Sequence, residues 1–444
     1  MKTFVRILCA VLLVSLLAGC VGTPDSNNPE STGATVPVEA VDYAGSIKLD
    51  MGTSTAKAEV TVKSFVDGDT THFNCDPKVN PEGVLKIRYL AVNTPESTGK
   101  IEEWGKKASA FTKEKLKNAT SIIVEAETSE WTADSTGSRY LGWVWYKTEG
   151  SDEYRNLNIE ILQNGLAIAN SSANNSYGSV CTNAINQAKA LKLNIYSGEK
   201  DPDFYYGEAQ ELTLKELRAN IESYNGVKVA FNGVITRNND QTVYVEAYDP
   251  ETDMYYGMSV YYGFNLTGGG LDILMVGNEV RIVGTVQYYE TGGTWQVSGL
   301  SYNQMKPKDP GNIQKLSDGH EPAYVLSTAD KFANGKVQVE VEEEIKTFDY
   351  AALAMSSSIS MENLKVTDVY TTVSNTDSNG AMTLTCEAGG IKVTVRTVVL
   401  RDENKEVITA DAYMGKTIDV KGVIDYFSGE YQIKVISAKD ITVH

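Results

Sequence analysis

A chain of 444 residues, 42% of them hydrophobic and 22% charged, is too long for one ordinary domain and carries enough apolar material for two to four separate cores. Its 25 Tyr and 37 Gly argue for β-rich domains with many turns and against an all-helical fold. The formal net charge of −18 argues against tight, sequence-independent nucleic-acid binding by the surface as a whole, although basic residues can still gather in one cleft.

Lys2 and Arg6 precede an apolar run from Ile7 to Leu17, which closes on Leu17-Ala18-Gly19-Cys20. A positive start, an apolar stretch too short to span a bilayer and small residues at the cut predict a lipoprotein signal peptide over 1–20, with the lipid on Cys20. The mature chain is then expected to be lipid-anchored to a bacterial cell membrane at its extracellular face. A long tether suits a cell with a single membrane. Residues 21–55, rich in Ser, Thr, Pro, Asn and Gly at their start, predict that flexible tether.

From Lys57 the residues alternate as in a strand, with an Asp-Gly turn at Asp67-Gly68. A second strand over Val84–Val92 ends at Asn93-Thr94-Pro95. Trp104, Ala108, Phe111 and Leu116 predict a helix over Glu102–Asn118, followed by strands over Ser121–Glu127 and Arg139–Tyr146. Helices are expected around Asn156–Asn164 and over Cys181–Leu193. Together these predict a small five-stranded barrel with helices packed outside it, an OB-like architecture, over 56–203. Beyond the signal peptide the cysteines are Cys75, Cys181 and Cys386; the first two share this domain and form either a disulfide or two free buried thiols. Their spacing matches no zinc motif.

Past Asp201-Pro202 the sequence repeats itself. Gly277–Leu300 parallels Gly415–Ser437, which aligns Gly284 with Gly422, Tyr288-Tyr289 with Tyr426-Phe427, and Trp295-Gln296 with Tyr431-Gln432. Phe231–Ala247 loosely parallels Met361–Asn375. Two further OB-like barrels are predicted, over 207–308 and 325–444, joined by a linker at 309–324. The fold class is therefore mainly β with α, a barrel with helices followed by two more β-barrels. Tyr261, Tyr262, Tyr288, Tyr289, Trp295, Tyr426 and Tyr431 are either stacking platforms for bases or ordinary barrel packing, and the lack of interleaved basic residues favours packing.

Three clusters carry the chemistry: VDGDTTHF (Val66–Phe73), IRYLAVNTPES (Ile87–Ser97) and GSRYLGWVW (Gly137–Trp145). Hydrolysis of a phosphodiester requires charge neutralisation, a positioned water and a stabilised five-coordinate transition state. A hard cation on oxygen ligands, a carboxylate and guanidinium forks meet those needs. With only three histidines, His72, His320 and His444, a site built on a histidine base and histidine ligands is poorly supported.

In this order and spacing the clusters resemble the staphylococcal nuclease (thermonuclease) family over roughly Ala58–Ser197, together with the ASAFTKEKL, QNGLA and QAKALKLNIYS segments. The resemblance implies a micrococcal-nuclease-type endonuclease that uses Ca²⁺ and cuts DNA or RNA to 3′-phosphate products. Under it Asp69 and the Thr94 carbonyl bind calcium, and Asn93 stands where the family has a second metal-binding aspartate. Glu96 matches the glutamate that orients or activates water, Arg88 the arginine on the scissile phosphate, and Arg139 the arginine that assists the leaving oxygen. Asp67 supports the turn. Asn93 removes one negative charge beside the dication, which is expected to weaken calcium by at least about tenfold, about 1.4 kcal/mol. The family's paired base-flanking tyrosines correspond here to Ser171 and Ala173, and its lysine and tyrosine ahead of the second arginine to Ser135 and Thr136. The expectation is a secreted, membrane-anchored, calcium-dependent nuclease whose OB-like modules hold the DNA or RNA substrate. The alternative is a catalytically impaired nucleic-acid-binding or adhesion lipoprotein, favoured by Asn93, the lost aromatic clamp and the acidic charge. The sequence identifies no protein partner.

Overall fold

The computed structural model describes residues 40–169 and 175–444 apart from positions 264, 265, 267, 291 and 375. The predicted signal peptide, Cys20, the first part of the predicted tether, Ser171 and Ala173 lie outside the described residues. Among the described residues three five-stranded barrels follow one another, and no helix is long and apolar enough to cross a membrane.

The last part of the predicted tether belongs to the first domain instead. Helix α1 (Tyr43–Ser46) docks there, with Ala44 fully buried, its N–H on Gln163 Oε1 at 3.0 Å, and Arg155 donating to both Asp42 oxygens at 2.7 and 2.8 Å. The barrel is built from β1 (Lys57–Phe65), β2 (Thr70–Asn74), β3 (Val84–Tyr89), β5 (Ala119–Glu125) and β6 (Tyr140–Thr148), with the short β4 (Val92–Asn93) beside it. β1 pairs antiparallel with β2 and β5, β2 with β3, and β5 with β6; a parallel β3–β6 pairing closes the ring. Phe73, Leu85, Ile87 and Tyr89 fill it at period 2.

β6 breaks that alternation. Trp143, Val144, Trp145 and Tyr146 are all buried, because helices cover the outer side of the strand. The nearer of these, α3 (Leu157–Gln163), is tied down by the buried Asn158, which accepts from Val144 N–H at 2.9 Å and donates to the Leu90 and Gly142 carbonyls at 2.9 and 3.1 Å. The last helix, α4 (Gly178–Ala190), starts and ends three residues earlier than expected. Cys181, Ala184, Ile185 and Ala188 form its buried stripe, and left-handed φ angles at Lys192 and Asn194 follow its end. Helix α2 (Gly105–Lys117) buries Ala108, Thr112 and Leu116 and begins three residues later than expected. The chain before it is held instead by long-range contacts: Trp104, at φ 68°, donates its N–H to Asp201 Oδ2 at 2.6 Å.

The second barrel comprises strands Lys228–Asn239, Thr242–Asp249, Met254–Tyr261, Glu279–Tyr289 and Thr294–Ser298, and the third Ser358–Thr371, Met382–Ala388, Ile391–Thr397, Thr417–Phe427 and Glu430–Val435. In all three barrels the first strand pairs with the fourth and the third runs parallel to the fifth. The repeated segments occupy equivalent places: Phe231 faces Ile282 where Met361 faces Val420, and Tyr288 faces Trp295 where Tyr426 faces Tyr431. These two barrels share one hydrophobic core, distinct from that of the first domain. The segment expected as their linker contains a strand, Gln314–Ser317, that pairs with the edge of Glu279–Tyr289, anchored by the fully buried Ile313. Glu246, on the second barrel, seals the joint by accepting from Ala323 N–H, Ser358 N–H and Ser358 Oγ at 2.8, 2.7 and 3.0 Å.

Candidate active site

The chain reverses between β1 and β2 in a tight turn, where Val66 N–H and Asp67 N–H both reach the Thr70 carbonyl. Asp67 Oδ1 accepts from Asp69 N–H at 3.1 Å, and Thr112 of α2 donates to the Gly68 carbonyl at 2.5 Å. A side chain at Gly68 would come within 2.9 Å of Ala108 Cβ and Thr94, so glycine is what lets α2 close over the turn. Asp67 and Asp69 are consequently buried.

Register brings the arginine to them. Arg88 on β3 lies opposite Thr70, and its guanidinium bridges two groups, donating to Asp69 Oδ1 and, at 2.5 Å, to Asn93 Oδ1. Asp69 also accepts from Thr94 N–H at 2.8 Å and from Thr70 Oγ1 at 3.1 Å. Asn93 and Thr94 reach this position because the chain kinks after β3: Ala91 adopts φ 62° and Leu90 N–H bonds to the Gly142 carbonyl. Burial, then the neighbouring Asp67 charge, push the Asp69 carboxyl up to about 7, outweighing Arg88 and the Thr94 N–H, which act to lower it. Thr94 Oγ1 is buried without a hydrogen-bond partner.

Glu96 follows on a loop that reaches solvent. Its backbone is clasped by Glu102, whose N–H bonds to the Glu96 carbonyl at 2.9 Å and whose Oε2 accepts from Glu96 N–H at 3.2 Å. A Cβ at Gly105 would stand 2.1 Å from the Glu96 carbonyl oxygen, so this clasp too depends on a glycine. Among the described residues no donor contacts the Glu96 carboxylate. Partial burial and Asp67 raise its pKa, while Arg88 and Arg139 act to lower it, which puts all four groups within electrostatic range. Arg139, just ahead of β6, is forked onto Asp134, with Nε and Nη2 at 2.8 and 2.7 Å from Oδ2.

The structure thus brings Asp67, Asp69, Arg88, Asn93 and Thr94 into direct contact, with Glu96 and Arg139 within range of their charges. Sequence reasoning missed Asp134 and Glu102, the two carboxylates that hold the catalytic candidates. Asp134 opens an Asp-Ser-Thr-Gly turn five residues ahead of Arg139, a pattern that could have signalled it. Tyr177 is packing: its ring meets Trp143 and Trp145 edge-on at 4.9 and 5.7 Å. His72 is a strand residue beside Ser64. The Cys75–Cys181 disulfide is not formed; Cys75 ends the β2 hairpin half-buried, whereas Cys181 is sealed inside α4, where burial pushes its thiol up to about 12. The loop after Glu96 rests on the second barrel, where the Gly99 carbonyl accepts from Ser298 Oγ at 2.9 Å.

Residues 86–198, about a quarter of the chain, match the family model described as Staphylococcal nuclease homologue. The match takes in Arg88, Asn93, Thr94, Glu96 and Arg139, while Asp67 and Asp69 lie just ahead of it and reach it through the β2–β3 pairing. MJ1439, an uncharacterized protein of Methanocaldococcus jannaschii, is 35% identical over 126 residues, covering 24% of this chain and 56% of that protein. The match therefore spans about half the length of this curated relative.

Proposed function

We propose that this chain, which carries a staphylococcal-nuclease-type domain over residues 86–198, is a calcium-dependent phosphodiesterase that cuts DNA or RNA to 3′-phosphate products while anchored to the cell surface by a lipid on Cys20. The observation that carries the reading is the convergence of Asp67, Asp69, Arg88, Asn93 and Thr94 on one buried turn, with Glu96 and Arg139 in electrostatic range.

A hard dication fits the groups present. The carboxylate, amide and hydroxyl groups at the turn offer oxygen, Asp69 is short of compensating charge, and Thr94 Oγ1 is an orphan. Two carboxylates alone carry the charge, and among the described residues no three His, Cys, Asp or Glu side chains could hold a metal together. Asp69, the Asn93 side-chain oxygen and the Thr94 carbonyl would hold calcium, which when bound supplies charge neutralisation for the phosphate. Arg88 offers its guanidinium fork to the scissile phosphate in exchange for its present bond to Asn93. Glu96, which no donor among the described residues contacts and whose pKa is raised, takes the proton of the attacking water. Arg139, oriented by Asp134, faces the charge that develops on the leaving side. The two further barrels hold substrate near the site and raise its local concentration.

One observation favours the second reading, a catalytically impaired nucleic-acid-binding or adhesion lipoprotein: both arginines are already engaged by carboxylates of the chain itself. Incubation of the mature chain with single-stranded DNA and RNA, in millimolar calcium and in chelator, separates the two. Calcium-dependent cleavage that leaves 3′-phosphate ends supports the nuclease; binding without turnover at every calcium concentration supports the second reading.

A further inference from the structure

A cleft of about 530 Å³ opens between the second and third barrels, lined by side chains that the two repeats contribute from equivalent places. Tyr288 and Trp295 pair across the hairpin of the second barrel with ring centroids 5.0 Å apart, and Tyr426 and Tyr431 pair across that of the third, also at 5.0 Å. The hairpins meet at this point, since a Cβ at Gly293 would lie 3.6 Å from the Tyr426 ring. Phe348 adds a fifth ring from the neighbouring hairpin. All five rings remain at least partly open to solvent. By contrast, Tyr261 and Tyr262 are tied by their hydroxyls to Gln241 and Asp240 of their own barrel.

Arg218, on the helix Leu214–Ala219, lines the same cleft with 8% of its surface exposed. Among the described residues no carboxylate pairs with it. One N–H, on Nη2, bonds to the Ala352 carbonyl at 3.2 Å, and the Nε–H is buried without a partner. Burial pulls its pKa down to about 10. A desolvated guanidinium without a counter-ion is strongly unfavourable, and an anion entering the cleft supplies the missing partner. At the cleft's margin Lys346 and Glu222 cancel, so Arg218 leaves the lining net positive in a chain of net charge −18. Aromatic faces beside an unpaired guanidinium match a ligand with a planar ring system and an attached anion.

We propose that this inter-barrel cleft is a nucleotide site, taking a base against the paired aromatics of the two repeats and its phosphate on Arg218. The volume fits a single nucleotide, either free or as one unit of a single strand. The proposal extends the accessory-barrel part of the reading above and requires no catalysis.

The test uses the full mature chain carrying Glu96→Gln, in chelator, titrated with AMP, adenosine, inorganic phosphate and a short oligoadenylate, followed by calorimetry and tryptophan fluorescence. AMP is expected to bind roughly tenfold or more tighter than adenosine or phosphate alone. Arg218→Met removes the advantage of AMP over adenosine, and Trp295→Leu weakens both and abolishes the fluorescence change. Oligoadenylate binding that exceeds AMP assigns the site to a strand, and the reverse assigns it to the free nucleotide. Should Arg218→Met fail to fold, the partly exposed Trp295 and Tyr288→Ala decide the matter. AMP that binds no better than adenosine, or that is unaffected by these substitutions, overturns the site. Oligonucleotide binding that survives all of them overturns the site while leaving accessory binding intact, and no binding of either AMP or oligoadenylate defeats both.

Discussion

Arg88 and Arg218 are both largely withdrawn from water, and the chain treats them in opposite ways. Arg88 is met by Asp69, backed by Asp67 and Asn93, so the guanidinium charge is compensated from within the domain, while the second carboxylate leaves the turn itself short of positive charge. Arg218, on a short helix between two barrels, is met among the described residues by one carbonyl and no carboxylate. A site compensated by its own chain is preorganised and must exchange partners when substrate arrives. One left uncompensated is completed by what binds it.

That contrast is sharpest in stability. Arg88→Met strands Asp69 beside Asp67 and is expected to destabilise the first domain by about 3 kcal/mol at pH 8, as removal of one member of a buried pair does. Arg218→Met removes a charge with no partner and is expected to cost nothing or to stabilise. Urea unfolding can read the two separately, because Trp104, Trp131, Trp143 and Trp145 belong to the first domain and Trp295 to the second barrel. Equal losses from the two substitutions would break the comparison.

A smaller effect is expected from Gly105→Ala, whose methyl group displaces the Glu96 carbonyl. The rate should fall about tenfold or more with calcium affinity unchanged, since misplacing a catalytic group costs rate before binding. Smaller still is a pH effect on the metal-free protein. Asp69 has a folded-state pKa raised from 3.8 to about 7, so the folded state binds its proton more tightly than the unfolded state does. Its contribution is complete below about 4 and is lost as pH rises through about 7. Urea midpoints in chelator should therefore decline across that window, and Asp69→Asn should flatten the decline.

Much of the fold was legible because period-2 alternation and turn residues act locally, and the repeat showed through its paired aromatics. What the sequence concealed depended on distant partners. The start of α2 is fixed by Asp201, nearly a hundred residues away, and the end of the tether by Arg155 meeting Asp42. The strand at Gln314–Ser317 exists because an edge of the second barrel is there to receive it. At the active-site candidate the order of motifs was readable, but the bridge from Arg88 to Asn93 needs the kink at Ala91, and the fork of Arg139 on Asp134 needs the intervening turn. Arg218 belongs to no motif. Its character comes from a partner far along the chain, the Ala352 carbonyl, and from burial in the cleft between barrels.

The most direct measurement is the single-turnover rate of single-stranded DNA cleavage at saturating calcium by the mature chain and by its Glu96→Gln variant, with calcium binding followed separately by calorimetry. A rate lowered by roughly 10²- to 10⁴-fold with calcium affinity unchanged is the expected result for a lost general base. Equal rates in the two proteins, or no cleavage by the unaltered chain at any calcium concentration, would contradict it.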